Sequence, residues 1–460
     1  MTQRGGGGVQ PPKRSFFTAA VIFLFTLVCF LPNQALPVGG NTGLQVGQIL
    51  ALLSPLAFLV WGWLPKRQTL AILLLILPLL VSTFLVVLLR QALSDEVALK
   101  NLIFALAVFV VLLPAGGIVN ERLLAPLLSG VASAMILHAG VGAYQAYSFT
   151  KDVFPLPSLY KQNPSFSTGI AQDLDTWALY VKRPFGLFPE PSAMSASFGP
   201  WLVLFVGLLL YPKLGYWTTR GIRTLLLLAT ACGIGLIIMA RSGYMTSLLA
   251  ILVLIGLPAL RKVGLQLHRP RNLLALLGLV LLGATISILS FTYLSSRLDL
   301  QENSSWTARS SSLIWALGYL GSNLSNLFFG VGPGQSYLIL QDPNLSGTGE
   351  QSTELAVTAV WSVVVSYVQE SGLLGALALV LVMIVVLRAI LRSSAPLLGS
   401  GCLLAWLVGV TLTTSYLPLL PIWIFLGVLL GWDRVFEVQA TPKVSDYRVE
   451  LSPTSKGAEA

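Results

Sequence analysis

A few side chains in this sequence can do chemistry, and most are marked by carrying charge at the edge of hydrocarbon. Arg183 and Glu190 lie in "RPFGLFPEPSAMSA", directly before an apolar run. Arg241 stands alone in "MARSGYM", between two apolar runs with almost no loop to hold it. Arg309 opens "RSSSLIWALGYL", and Glu370 precedes another apolar run in "VVVSYVQESGLLGALALVL". A guanidinium donates paired hydrogen bonds from a planar fork, so these arginines suit a diphosphate better than lysines would. For Arg241 two readings stand: snorkelling to lipid headgroups, or a buried cation that holds a ligand. Arg309 is either a solvated loop residue or a ligand-holding one. Glu190 is either a helix cap paired to Arg183 or a carboxylate that meets a ligand. Pro191 suits the first position of a helix, which puts Glu190 at the positive end of its dipole and favours the ionised form.

Other chemistries are excluded by composition and placement. The only histidines are His138, inside an apolar run, and His268, in a basic loop. Neither can reach the segments that carry the arginines, so a histidine triad or metal cluster is not expected there. His138 reads as a helix-packing residue. Cys29, Cys232 and Cys402 all fall inside apolar runs, without metal-ligand spacing, and read as apolar filler. "FFGVGPGQ" reads as a turn, since no strand and helix flank it as a dinucleotide fingerprint requires. No metal and no cofactor are expected.

The elements that must position these residues are membrane helices. Of 460 residues, 55% are hydrophobic and only 10% charged, and mean hydropathy is +0.80. That balance belongs to polytopic membrane proteins. Twelve runs are long enough to cross about 30 Å of hydrocarbon. They fall near 15–32, 45–64, 69–89, 101–119, 123–147, 193–211, 223–240, 244–260, 273–293, 372–391, 396–413 and 417–435. With a cytoplasmic N-terminus, 19 of the 28 Lys and Arg lie on the inner side, for a net +13 inside against −3 outside. This positive-inside bias predicts both termini in the cytoplasm. It also makes "RKVGLQLHRPR" a topology anchor, and no nucleic-acid partner is expected despite the net charge of +10.

The expected fold class is therefore all-α: a polytopic transmembrane helical bundle of about twelve spans. A tail at 1–14 and another at 436–460 flank a membrane domain at 15–435. Two outer segments, about 148–192 and 294–360, are too long for simple connections, and long ordered loops tend to carry function. Apolar residues at 313, 314, 317 and 320 predict a short amphipathic helix lying along the outer membrane–water boundary. Glu190 and Glu370 differ from the other outer carboxylates because each sits at the predicted start of a membrane helix.

Four blocks in order resemble the O-antigen ligase and Wzy-type polysaccharide polymerase superfamily of bacterial membrane glycosyltransferases. They are "RPFGLFPEPSAMSA", "ARSGYMTSLLA", "WTARSSSLIWALGYLGSNLSNLFFGVGPGQ" and "VVVSYVQESGLLGALALVL", running from Arg183 to about Leu391. The resemblance implies a GT-C-like, multi-pass protein of the bacterial inner membrane with its active site facing the periplasm. It implies metal-independent transfer of a glycan from an undecaprenyl-diphosphate-linked oligosaccharide donor, with an acceptor of the same kind and lipid diphosphate leaving. Arg241 and Arg309 match the family's arginines and would hold the diphosphate, with Arg183 as a further binding residue. Glu190 is the candidate for acceptor activation or sugar binding, and Glu370 a candidate substrate-binding residue. Ligases of the superfamily carry a His-Asn pair nine residues before the last block's glutamate. Here Trp361 and Ser362 stand there, so Trp361 becomes a substrate-side candidate and the resemblance is closer to exopolysaccharide or capsule polymerases. A flippase, a chain-length regulator and membrane lipids are the implied partners. A ligase acting on a lipid or protein acceptor is the alternative expectation, and a transporter the third.

Overall fold

Apolar runs in this chain fold as helices because, away from water, backbone polar groups can be satisfied only within the segment. The computed structural model describes residues 16–39, 42–60, 64–89, 93–118, 121–155, 163, 182–211, 219–240, 312–341, 360–414 and 417–436. Ten of the twelve expected runs fall there, and each is largely helical; those at 244–260 and 273–293 lie outside the described residues. In chain order the elements are α1 (Phe16–Cys29), β1 (Ala35–Gly39), β2 (Thr42–Gln45), α2 (Val46–Val60), α3 (Lys66–Leu88), α4 (Asp95–Phe109), α5 (Leu112–Ile118) and α6 (Glu121–Phe149). There follow α7 (Pro191–Leu210), α8 (Arg220–Ala240), α9 (312–320), α10 (Leu324–Phe329), α11 (Gln335–Gln341) and α12 (Val363–Leu391). The last are α13 (Pro396–Val408), prolonged by a π-helical turn at Gly409–Thr413, then α14 (Leu420–Leu430) and α15 (Trp432–Val435). Among the described residues, seven helices are long and apolar enough to cross a membrane.

The described residues form the expected helical bundle with one small strand pair: β1 and β2 are antiparallel, Ala35 opposite Gln45 and Leu36 opposite Leu44. Three expectations need correction. Three of the expected spans are short helices, of 14 residues in α1, 15 in α2 and 11 in α14. The run expected at 101–119 begins at Asp95, capped by the Ser94 hydroxyl accepting the Val97 N–H, and breaks at Val110–Val111. The helix expected to start at 372 starts at Val363, where the Ser362 hydroxyl accepts the Val365 N–H, and it is broken at Gly372. Capping and a glycine break therefore moved boundaries that hydropathy alone had set.

Two helices form the centre. Every residue of α7 from Pro191 to Leu208 is buried, and so is every residue of α14. A helix apolar all round belongs in the middle of a bundle. Trp201 of α7 meets Phe30 and Phe425 edge-on there. Outer helices are two-faced: α3 exposes Leu70, Leu73, Leu77, Leu80 and Phe84, and α12 exposes Leu373, Leu377, Leu381 and Ile384. So much outward apolar surface at helical spacing is a lipid-facing stripe.

Contacts between glycines and their neighbours set the directions of the helices. Gly207 lies against Leu398 and Gly409 against Ala196, so α7 and α13 run antiparallel. Gly233 lies against Met135 and Gly142 against Leu236, so α6 and α8 run parallel. The bundle thus has two distinct ends. One gathers Lys66, Arg67, Arg220, Arg223, Arg388, Arg392 and Arg434. It is closed by Arg67, which donates to both carboxylate oxygens of Asp433 at 2.6 and 2.8 Å. The other end gathers the segments that the sequence singles out.

Candidate functional site

At that second end, the stretch before α7 is bound by side chains from α6 and from the residues after α1. Gln145 accepts the Phe185 and Gly186 N–H groups, each at 2.9 Å, and returns its own N–H to the Gly186 carbonyl at 3.0 Å. His138, fully buried, accepts the Leu187 N–H on Nδ1 at 3.0 Å. Its Nε2 lies 2.9 Å from the Phe30 carbonyl, which can only accept. The imidazole is therefore neutral, with its proton on Nε2, and both nitrogens are engaged. Asn33 donates to the Leu187 carbonyl at 3.0 Å. Gly186 has φ +59°, and a Cβ there would sit 2.5 Å from His138 Nδ1, so only glycine fits this close approach. His138 is packed among helices as expected, but the expectation that it cannot reach the arginine-bearing segments fails: it pins the loop that carries Arg183 and Glu190.

This binding delivers Glu190 to the mouth of α7. Glu190 is the N-cap with Pro191 next, and it is buried at 7% exposure. Its carboxylate accepts the Ser192 hydroxyl. Ser195 and Ser197 of the same helix are also buried, on opposite faces of it. Arg183 is half-buried at the start of the same loop. Beside it Lys182 holds φ +48° and pairs with Asp152, itself at φ +54°, at 2.7 Å. Lys182 and Pro184 line one side of an open groove of about 490 Å³, with Phe149 and Thr150 at the end of α6 and Ile238 and Met239 at the end of α8 on its other sides. Ala240 closes α8 immediately before Arg241 in the chain.

The second half of the site forms around α12. Trp361 is half-buried, and its N–H donates to the Ser312 hydroxyl at 3.3 Å, tying α9 to the start of α12. The Val363 N–H donates to the Thr414 carbonyl at 3.0 Å, which joins α12 to the end of the π-helical turn packed on α7. Glu190 and Trp361 are thereby brought to one end of the bundle. Along α9 the buried residues are Ser312, Ala316 and Leu320, while Ile314 and Leu317 face outward at 72% and 56% exposure. The expected helix is present, but its apolar residues divide between the protein and the surroundings.

Glu370 is the eighth residue of the helix that begins at Val363, just before its break at Gly372. The "GVGPGQ" turn docks onto that break. The Val331 N–H donates to the Gln369 carbonyl at 3.0 Å and the Gly332 N–H to the Glu370 carbonyl at 3.1 Å. The Gly334 N–H donates to the Glu370 carboxylate at 3.0 Å. Ser82 of α3 adds its hydroxyl to the Glu370 carbonyl at 2.8 Å. Gln335 then anchors the turn to α4, accepting the Leu93 N–H and donating to the Ser94 carbonyl. One carboxylate oxygen of Glu370 thus holds the turn, and the residue remains partly exposed.

Arg241 and Arg309 lie outside the described residues. Of the six candidate residues the structure therefore positions four: Arg183, Glu190, Trp361 and Glu370. It adds positioning residues that sequence reasoning missed, namely Asn33, Gln145, Ser312 and Gln335. Gln145 had a readable signal, an uncharged polar side chain inside an otherwise apolar run. Among the described residues no group of three or more His, Cys, Asp or Glu could hold a metal ion. The fold and this polar end together define a helical membrane protein. No protein family, curated protein or solved structure matches the chain.

Proposed function

We propose that the protein is a membrane glycosyltransferase that polymerises undecaprenyl-diphosphate-linked oligosaccharide repeats on the periplasmic face of the bacterial inner membrane. The observation that carries the reading is the gathering of Arg183, Glu190, Trp361 and Glu370 at one end of the bundle, opposite the end rich in Lys and Arg. By the positive-inside bias the latter end faces the cytoplasm, and in this reading the candidate site faces outward with both termini inside. In this reading fixed guanidinium groups at Arg183, Arg241 and Arg309 stabilise the charge that develops on the departing diphosphate. Glu190, ionised at a helix N-terminus, orients the attacking hydroxyl. Neutral His138, engaged at both nitrogens, takes no part in proton transfer and holds the loop.

The test is turnover by the purified full chain with lipid-diphosphate oligosaccharide, products separated by size. A ladder of lengths that Arg241→Ala and Arg309→Ala each reduce at least about a hundredfold is expected, the cost of removing a group that stabilises transition-state charge. One transfer to a foreign acceptor without a ladder would make it a ligase. Wild-type ladders from both variants would remove the assigned mechanism.

A further inference from the structure

The open groove between the ends of α6 and α8 has the make-up of a lipid site. Its volume of about 490 Å³ falls within the ~300–1,000 Å³ typical of ligand clefts. Phe149, Pro184, Ile238 and Met239 give it apolar surface, and Lys182 and Thr150 give it polar groups. On α8 the apolar surface runs on towards the opposite end of the bundle. Ile238 and Ile234 are exposed one turn apart, and Leu227 is exposed two turns further along that face. On α6, Tyr144 and Tyr147 are exposed near the end of the helix, and Lys151 stands over the Tyr147 ring at 4.6 Å. Exposed tyrosines at the end of an apolar helix mark the membrane–water boundary. The groove therefore opens at headgroup depth, with an apolar track for acyl chains leading away from it.

Charge decides which headgroup fits. Lys151 follows Thr150, and Arg183 lies between the lining residues Lys182 and Pro184. Against these three cations stands the carboxylate of Asp152, 2.7 Å from the Lys182 ammonium, in a pair that solvent still reaches. Three of the nine Lys and Arg that the positive-inside bias leaves for the outer side thus belong to one groove. Cations gathered on the side that disfavours them point to an anion. Asp152 and Lys182 are also the only non-glycine residues with positive φ among the described residues, and backbone strain of this kind collects at ligand clamps. An ammonium is a point charge that suits a single phosphate, whereas a diphosphate favours the paired donors of arginine. With Asp152 so near, a phosphodiester with one negative charge is better accommodated than a diphosphate, and a zwitterionic headgroup brings no net charge to meet the surplus. We infer that this groove binds an anionic phospholipid of the phosphatidylglycerol kind, its phosphate on Lys182 and its acyl chains along the exposed face of α8. Lys182 immediately precedes Arg183, so the bound lipid braces the loop that carries Arg183 and Glu190. The lipid is not consumed, and its site stands independently of the glycan-transfer reading.

The experiment uses the full chain, purified in detergent and stripped of lipid. The probes are dioleoylphosphatidylglycerol, dioleoylphosphatidylethanolamine and pyrophosphate. Binding is counted by native mass spectrometry, and phosphatidylglycerol with a photoactivatable acyl chain maps the site on the peptide. Phosphatidylglycerol should bind the wild type more tightly than phosphatidylethanolamine and label the second half of α8 and the end of α6. Lys182→Gln should weaken phosphatidylglycerol about fivefold, the worth of one cation facing an anionic lipid, and Lys182→Arg should retain it. Asp152→Asn breaks the same exposed pair but removes a repelling charge, so it should bind phosphatidylglycerol at least as tightly as the wild type. A pair that only holds the loop predicts equal losses from Lys182→Gln and Asp152→Asn, and that result overturns the inference. So does phosphatidylethanolamine bound as tightly as phosphatidylglycerol, or labelling that avoids α6 and α8. Pyrophosphate binding that Lys182→Gln abolishes also overturns it, and makes the groove a place for a diphosphate instead.

Discussion

The docking of the "GVGPGQ" turn onto α12 makes one substitution unusually informative: Gly372→Ala. Gly372 has φ +66° and ψ −159°, a region that a residue with a side chain enters at a cost of about 1–3 kcal/mol. Its added Cβ would lie 2.5 Å from the Gly330 nitrogen and from the Phe328 carbonyl carbon and oxygen, all backbone atoms. The turn must retreat, which strains or breaks the bonds from Val331 and Gly332 N–H to α12, worth about 0.5–1.5 kcal/mol each. The expected total is about 2–6 kcal/mol. A matched control exists in the same protein. Gly235 lies inside α8, a Cβ there would meet nothing within 4 Å, and alanine is the better helix former by up to about 1 kcal/mol. The same chemical change should therefore act with opposite sign at the two sites. Thermal unfolding in detergent, read by fluorescence-detected size exclusion, should show Gly372→Ala falling by several degrees and Gly235→Ala unchanged or higher. Gly330 faces Gly372 backbone to backbone, so Gly330→Ala should be destabilising alone and add less than its full cost to Gly372→Ala. A wild-type midpoint for Gly372→Ala, or equal losses at 372 and 235, would refute the reasoning.

Two further outcomes follow from the two ends of the bundle. Gln145→Leu leaves the Phe185 and Gly186 N–H groups and the Gly186 carbonyl without their partner, at about 1–3 kcal/mol each where they stay buried. It should lower the unfolding midpoint and reduce ladder formation together, because Arg183 and Glu190 hang from that loop; retained stability with normal ladders would show the loop is held otherwise. At the opposite end, a double-mutant cycle on Arg67→Ala and Asp433→Ala should give a coupling of about 1 kcal/mol that weakens in high salt, since the pair is two-pronged but still solvent-accessible. Additive losses would show that the pair contributes nothing to closure.

Much of this architecture could be read before any coordinates. Hydropathy located ten described helical runs because, in lipid, helical pairing is obligatory and needs no long-range partner. The helix start at Glu190–Pro191 was legible because the signal is local, although the Glu190 side chain makes no capping hydrogen bond. "FFGVGPGQ" was legible as a turn for the same reason. What it packs against was not, since Gly330, Gly332 and Gly334 take their positive φ values from contact with elements tens to hundreds of residues away. The start of α12 was misplaced because "VVVSYVQES" is too polar for hydropathy alone, and its cap and glycine break decide the geometry. Pairing of β1 with β2 was missed, although Gly39, Gly40 and Asn41 in sequence are residue types that favour a hairpin turn. His138 illustrates the limit best: burial was readable from its place in an apolar run, but its two backbone partners come from opposite directions in the chain.

The burial of α14 bears on how the protein is made. Its eleven residues fill the centre between α5, α7 and α12, yet they are translated after all three. Helices inserted earlier must therefore wait around a vacancy, with Trp201 lacking Phe425 and Ala115 lacking the close approach of Gly427. Arrival of α14 completes that centre, and the pairing of Asp433 with Arg67 joins the late segment to an early one. A chain cut off shortly before residue 420 would keep most of its described helices and lack the one that fills their centre.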